Sequence, residues 1–195
     1  FLIRLRGEVR SRIRRLGLLW EIVFSALRRQ WAAILIVLVV IAAFAPVLFL
    51  GKIYFDEEQL GFYYPQTFFL AESLKNGTSL FWNNAYYAGV SVSLDQFVGS
   101  FYPPHWLLFG LLPSVTAHHV SIVLTVIGGC LAAYWLGRAT GLGRAASFVI
   151  AMSYMSATTF DWLDIGTLAG HAFFVFPLLF IAIWKISRGE HVFLS

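Results

Sequence analysis

Long apolar runs alternate with short polar segments along most of the chain. The apolar runs cover residues 31–51, 120–137, 145–160 and 165–184. A helix needs about 20 mainly apolar residues to cross the hydrocarbon core of a bilayer, and the runs approach or reach that length. The pattern therefore predicts an all-α polytopic membrane protein with about four transmembrane helices.

The first polar interruption, residues 52–119, is long and contains its own helical patterns. Pro65 suits the first turn of a helix over about 66–75, and Asn76-Gly77 is a typical stop. Asn76-Gly77-Thr78 is also a glycosylation sequon, but a turn explains the same residues and is favoured. A loop of such length is usually functional or disordered, and its aromatic residues argue against disorder. We expect amphipathic helices in the membrane interface, including a short interfacial or re-entrant piece over 106–112 that ends at Pro113.

Residues 1–30 form a basic segment with loosely helical spacing of its apolar positions. Its arginines are Arg4, Arg6, Arg10, Arg12, Arg14, Arg15, Arg28 and Arg29. This pattern predicts a basic amphipathic helix on an anionic leaflet, and the span that follows at once disfavours nucleic-acid binding. Positive residues beside a span stay cytoplasmic, which puts the N-terminus inside and the 52–119 loop outside. The basic turn 137–144 then lies inside as well.

Composition supports the membrane class. Hydrophobic residues make up 59% of the sequence and charged residues only 12%, against roughly 25% charged in soluble proteins. Cys130 is alone and cannot form an intrachain disulfide. The first run is longer than the apolar part of a signal peptide, so it should remain as an anchor in a multi-pass protein of the cytoplasmic (inner) membrane. Because the chain begins at Phe1 and ends soon after a span, we expect it to be part of a longer protein.

Acidic residues gather on the side of the membrane assigned to the exterior. They are Asp56, Glu57 and Glu58 in the first outer loop, and Asp161 and Asp164 in the second. One interpretation is that these acids only end the spans and keep the helix ends hydrated. The other is an acidic cavity that activates a hydroxyl group or holds a divalent cation, Mg²⁺ or Mn²⁺, with Asp56, Asp161 and Asp164 as possible ligands.

Several histidines are further candidates for chemistry. His171 falls within the fourth run, where an ionisable group is costly and usually faces protein or a wet cavity, although a structural hydrogen bond is the alternative. His118 and His119 are expected in the interface at the outer end of the second run, and His105 is a candidate contact for a lipid headgroup. No phosphate loop, dinucleotide fingerprint or zinc spacing is present, so no organic cofactor is expected.

The outer loop also resembles a known family. The residues that carry the resemblance are Asp56, Tyr64-Pro65, the run from Phe69 to Gly77, Trp82-Asn83, Gly89 and Tyr102-Pro103, with Gly170-His171 and Pro177-Leu178 in the fourth run. They are similar to the first outer loop and fourth span of the bacterial YfhO-like membrane proteins of the GT-C glycosyltransferase superfamily. The resemblance covers most of residues 45–185, and it makes residues 31–195 an N-terminal GT-C-like transmembrane module.

The resemblance implies transfer of a sugar from a polyprenyl-phosphate donor to an envelope polymer, lipid or protein on the outer face of the membrane. Asp56 matches the general base of such enzymes, and Glu57 would assist it. The positions implied for substrate binding are Tyr64, Trp82, Asn83, His105, Asp161, Asp164 and His171. The chain would then be a hexosyltransferase module that is inactive by itself if the remaining spans are needed. The alternative is a non-catalytic membrane subunit or transporter segment whose outer acids bind ions or a partner.

Overall fold

A computed structural model describes residues 30–53, 57, 59–86, 88–91, 99–162 and 167–189, without the side chains of 158–162 and 167–173. The described part is mostly helical and contains no strand. Its helices are α1 (Gln30–Ala43), α2 (Ala45–Phe49), α3 (Tyr64–Asn76), α4 (Pro103–Leu111), α5 (Ser114–Ala139), α6 (Arg144–Trp162) and α7 (Thr167–Ser187). A π-helical turn, Gln59–Tyr63, leads directly into α3. The basic segment 1–29 lies outside the described residues.

The first apolar run is divided between α1 and α2 rather than forming one continuous helix. The break falls at Phe44, and Pro46 stands in the first turn of α2. Proline has no amide hydrogen, and its ring collides with the carbonyl four residues earlier, so a helix cannot pass through it undisturbed. Pro46 was the signal for this break in the sequence. The run was nevertheless predicted as a single span because the residues around Pro46 are apolar.

Helix α5 is the centre of the structure. It is 26 residues long and is the one helix among the described residues that is long and apolar enough to cross a membrane. Residues spaced four apart along the first run, Ala32, Ile36, Val40 and Phe44, form one buried cluster with Val123, Val126, Cys130 and Tyr134 of α5 and Ala151 of α6. Half of the apolar window of α5 is buried inside the protein. Helix α1 (Gln30–Ala43) and the part of α7 whose side chains are described (Phe174–Ser187) are apolar but shorter, so four spans are not established.

Two adjacent glycines allow α7 and α6 to lie close to α5. A Cβ added to Gly128 would stand 2.7 Å from the ring of Phe174, and one added to Gly129 would stand 3.3 Å from the ring of Tyr154 in α6. Small residues at helix crossings permit such approach in membrane bundles. The prediction that Gly128-Gly129 admits a neighbouring helix is confirmed.

The described part of the 52–119 loop, which we call the outer loop after its predicted position, folds as a layer over the first turns of α5. Leu70 and Ala71 of α3 and Phe109 of α4 form a second buried cluster with Ala117 of α5. The predicted helix over 66–75 is confirmed, with Pro65 in its first turn and Gly77 in the left-handed region (φ 64°) that glycine reaches without strain. Phe68 does not share an environment with Phe69 and Leu74, because Phe68 is exposed whereas the other two pack on this cluster.

Candidate functional site

Three histidines are buried where the outer loop meets α5. With their hydrogen-bond partners they form what we name the histidine cluster: His105, His118, His119, Gln59, Tyr64 and Ser121. Helix α5 begins at Ser114, so His118 and His119 lie in its second turn rather than in a segment before the span. Both histidines are buried inside the protein.

Gln59 joins the acidic end of the loop to α5. Its side-chain oxygen lies 2.9 Å from Nε2 of His118, and both residues are almost fully buried. Because a carbonyl oxygen only accepts, the ring donates its Nε2–H, and Nδ1 is left as a lone pair in the neutral ring. That Nδ1 has no hydrogen-bond partner in the part of the chain that the structure describes. A buried group without a partner is costly, so this nitrogen is a position where a donor could bind.

Tyr64 makes the second link between the loop and α5. Its hydroxyl lies 2.9 Å from Nε2 of His119, and its ring meets the His118 ring edge-on at 5.1 Å. Pro65 in the first turn sets the start of α3 at Tyr64. The first residue of α3 is therefore the one that contacts α5. Tyr64, a candidate for substrate binding, thus also holds α3 in place.

His105 is enclosed between α4 and α5. Its Nδ1–H donates to the carbonyl of Gly99 (3.1 Å), and its Nε2 accepts from the Ser121 hydroxyl (2.8 Å) in the neutral ring. The rings of Tyr102 and Phe109 lie 5.0 and 5.2 Å from it. His105 has no exposed surface, so this geometry supports a packing role and gives no support to a headgroup contact. Partial burial raises the pKa of Tyr102 above its ordinary value.

Trp82 and Asn83 have different roles in the loop. Asn83 is buried, exchanges two backbone hydrogen bonds with Val90, and donates its amide to Gln66 at 3.4 Å. The Trp82 side chain is half exposed and lies against Gly89, where an added Cβ would come within 2.7 Å of the indole ring. Gly89 has φ 119°, which other residues rarely adopt. Trp82 is therefore the accessible member of this pair, and Asn83 shapes the loop that presents it.

The acidic candidates are described only in part. Glu57 is exposed and precedes Gln59 by two residues, whereas Asp56, Glu58 and Asp164 lie outside the described residues. Asp161 falls in the last turn of α6, and His171 lies in α7, with both side chains outside the description. The two acidic loops are thus not brought together by anything the structure describes. Within the described residues, no group of three or more His, Cys, Asp or Glu is placed to hold a metal ion.

Sequence reasoning missed the partners in the histidine cluster. Gln59 and Ser121 carry no motif, and their roles depend on how the loop folds back on α5. One local signal was available, since Pro113-Ser114 marks a helix start six residues before the apolar run begins. Comparisons of the chain with protein families, with curated proteins and with solved structures find no match.

Proposed function

We propose that this chain is the N-terminal membrane module of a glycosyltransferase that takes a sugar from a polyprenyl-phosphate donor and passes it to a cell-envelope acceptor on the outer face of the cytoplasmic membrane. The observation that carries the proposal is the anchoring of the acidic segment. Gln59, just after the three carboxylates, is held against His118 in the first turns of α5, the one helix among the described residues with the length and composition of a membrane span.

A catalytic carboxylate must be held in position, and this anchor supports such a role. Asp56 precedes Gln59 by three residues, so the chain can separate their Cα atoms by no more than about 11 Å. Glu57 is exposed beside the anchor and is able to meet a substrate. Positioned groups at the level of the bilayer surface are what a lipid-linked donor requires, because its sugar and phosphate lie there while its chain remains in the membrane.

The proposed reaction needs one base and one leaving group. Asp56 takes the proton of the acceptor hydroxyl as its oxygen attacks the anomeric carbon, and the bond from that carbon to the phosphate oxygen breaks. Polyprenyl phosphate leaves with the electron pair, and the anomeric configuration inverts. A leaving phosphate is stabilised by cations. Lys52 is exposed next to the acidic segment, whereas Lys75 already donates to the carbonyl of Leu112 at 3.0 Å.

The test compares sugar transfer by two variants that each lose one acid, measured with the protein in its native membrane. Asp56→Asn should lower transfer of labelled sugar from polyprenyl-phosphate donors into the envelope fraction by at least about 100-fold, because a general base contributes roughly 10²–10⁴-fold. Glu72→Gln is the matched control, since Glu72 is an exposed acid of α3 bonded only to Asn76 in the described residues. Yield and melting temperature should be unchanged in both variants.

Two results would contradict the proposal. Normal transfer by Asp56→Asn removes the assigned base. Loss of ion transport or of a partner complex on neutralising Asp56 and Glu57, with no sugar transferred by the unaltered protein, supports the non-catalytic subunit or transporter instead.

A further inference from the structure

The opposite end of the bundle from the histidine cluster contains an apolar cavity. It has a volume of about 380 Å³, within the range of roughly 300–1,000 Å³ typical of sites for small ligands. Its lining comes from three helices: Leu136, Gly137 and Thr140 at the end of α5, Ile150 of α6, and Phe180, Ile183, Trp184 and Ser187 of α7. Ile183 and Phe180 are more than half exposed, so the cavity opens on the side of the bundle.

Trp184 fixes the shape of this cavity and places a cation at its edge. Its indole N–H donates to the carbonyl of Ala139 at 3.2 Å, which ties α7 to the end of α5. The Arg188 guanidinium lies over the same indole, 4.6 Å from the ring centroid. Such stacking holds a guanidinium in place while leaving its N–H groups available to an anion.

The charges around this end are all positive in the residues that the structure describes. Arg138, Arg144, Lys185 and Arg188 lie here, and no acid falls within residues 136–150 or 176–189. Arg138 donates to the carbonyl of Leu142, and Arg144 and Arg188 are exposed. The next acid along the chain, Glu190, lies outside the described residues. An apolar cavity edged by cations matches a molecule with a hydrocarbon chain and an anionic head.

We propose that this cavity is a binding site for an anionic phospholipid, with an acyl chain against Ile183 and Phe180 and the phosphodiester head on Arg188 and its neighbouring cations. The site is distinct from the outer loop and requires only that the chain lie in a membrane. It does not depend on the sugar transfer proposed above. A bound lipid would fill the gap between the ends of α5, α6 and α7 and stabilise their packing.

The experiment measures lipid binding to the purified, delipidated protein by native mass spectrometry, with phosphatidylglycerol and phosphatidylcholine as probes. The unaltered protein should prefer phosphatidylglycerol. Arg188→Gln should weaken phosphatidylglycerol binding about fivefold, because each cation near a lipid surface contributes a factor of that order. It should leave phosphatidylcholine binding unchanged. Arg188→Lys should restore most of the preference.

A pair of tryptophan substitutions separates the cavity from the general apolar surface. Ile183→Trp fills the cavity and should weaken binding of both lipids, whereas Ile186→Trp, at a similarly exposed position that does not line the cavity, should change neither. Melting temperatures identify variants that fail to fold, and the Arg188 variants remain informative if Ile183→Trp is one of them. Equal binding of the two lipids by the unaltered protein, no bound lipid at all, or equal losses in the two tryptophan variants would overturn the proposal.

Discussion

Single residues decide how the outer loop is held to α5. Gln59 and His118 are 59 positions apart in the sequence, and Tyr64 and His119 are 55 apart, yet each pair makes a 2.9 Å hydrogen bond. Neither pair follows a local pattern, since the bonds form only once the loop folds back on the helix. The candidate residues Tyr64, Asn83 and His105 were recognisable from the sequence as polar or aromatic positions in a long loop. Their burial and their partners were not, because these depend on tertiary contacts.

The bond between Gln59 and His118 should be a measurable source of stability. His118→Leu removes the donor from a buried amide oxygen, which costs about 1–3 kcal/mol because that oxygen is kept from water. Gln59→Leu should cost a similar amount. The loss of unfolding free energy in the double variant should be smaller than the sum of the two single losses by about 1 kcal/mol. Thermal or denaturant unfolding in detergent measures all three. Strictly additive losses would show that the two side chains are not coupled.

The bounds of the helices can be predicted from the sequence more accurately than the contacts between side chains. Pro65 and Gly77 bound α3 as their chemistry requires, and α4 ends just before Pro113. The two deviations have physical causes. Pro46 divides the first apolar run, and α5 extends beyond its apolar stretch because the loop buries His118 and His119 and forms a hydrogen bond with the Nε2 atom of each. A prediction from hydropathy alone ends the helix at polar residues such as His118 and His119.

The crossing of α5 and α7 predicts a specific effect of Gly128. Gly128→Ala puts a Cβ within 2.7 Å of the Phe174 ring, so the ring or the helix must move, and we expect a loss of about 1–3 kcal/mol in unfolding free energy. Gly110→Ala is the control, since a Cβ there meets nothing within 4 Å, and better helix propensity should stabilise α4 by about 0.5–1 kcal/mol.

Phe174→Leu should recover part of the loss in the Gly128→Ala background because it shortens the obstructing side chain. Melting curves of the four proteins distinguish these effects. Stabilisation by Gly128→Ala comparable to that by Gly110→Ala would mean that the two helices do not approach as closely as described.

For the whole molecule, the main feature is the separation of charge and of chemistry between its two ends. The π-helical turn, α3 and α4 cover the start of α5, and this end carries the acids Glu57 and Glu72 together with Lys52 and Lys75. The other end carries Arg138, Arg144, Lys185 and Arg188. The pattern of charged residues in the sequence indicated that acids lie at one end of the helices and basic residues at the other. It could not reveal the layer or the cavity, since both require the helices to be placed against one another.

This polarity predicts the labelling pattern of single cysteines in a Cys130→Ser background. Lys52→Cys should react with a membrane-impermeant maleimide in intact spheroplasts, because Lys52 is exposed and lies on the outer side in the predicted topology. Arg144→Cys, exposed at the opposite end, should react only after permeabilisation. Gel-shift or fluorescence readout after denaturation gives the labelled fraction. The reverse pattern would place the acidic loop in the cytoplasm and exclude the proposed reaction there.

The break at Phe44 affects how the first apolar run meets water. Pro46 supplies no amide hydrogen, so the carbonyl of Ala42 has no helical donor four residues later. An unsatisfied carbonyl in hydrocarbon is costly, and Ala42 is exposed, so water drawn in from the bilayer surface is its available partner. Deuterium from heavy water should therefore enter the amides around the break earlier than those around Ile36 in the interior of α1. In the predicted membrane topology, the first apolar run would thus be dry along α1 and hydrated at the level of Pro46.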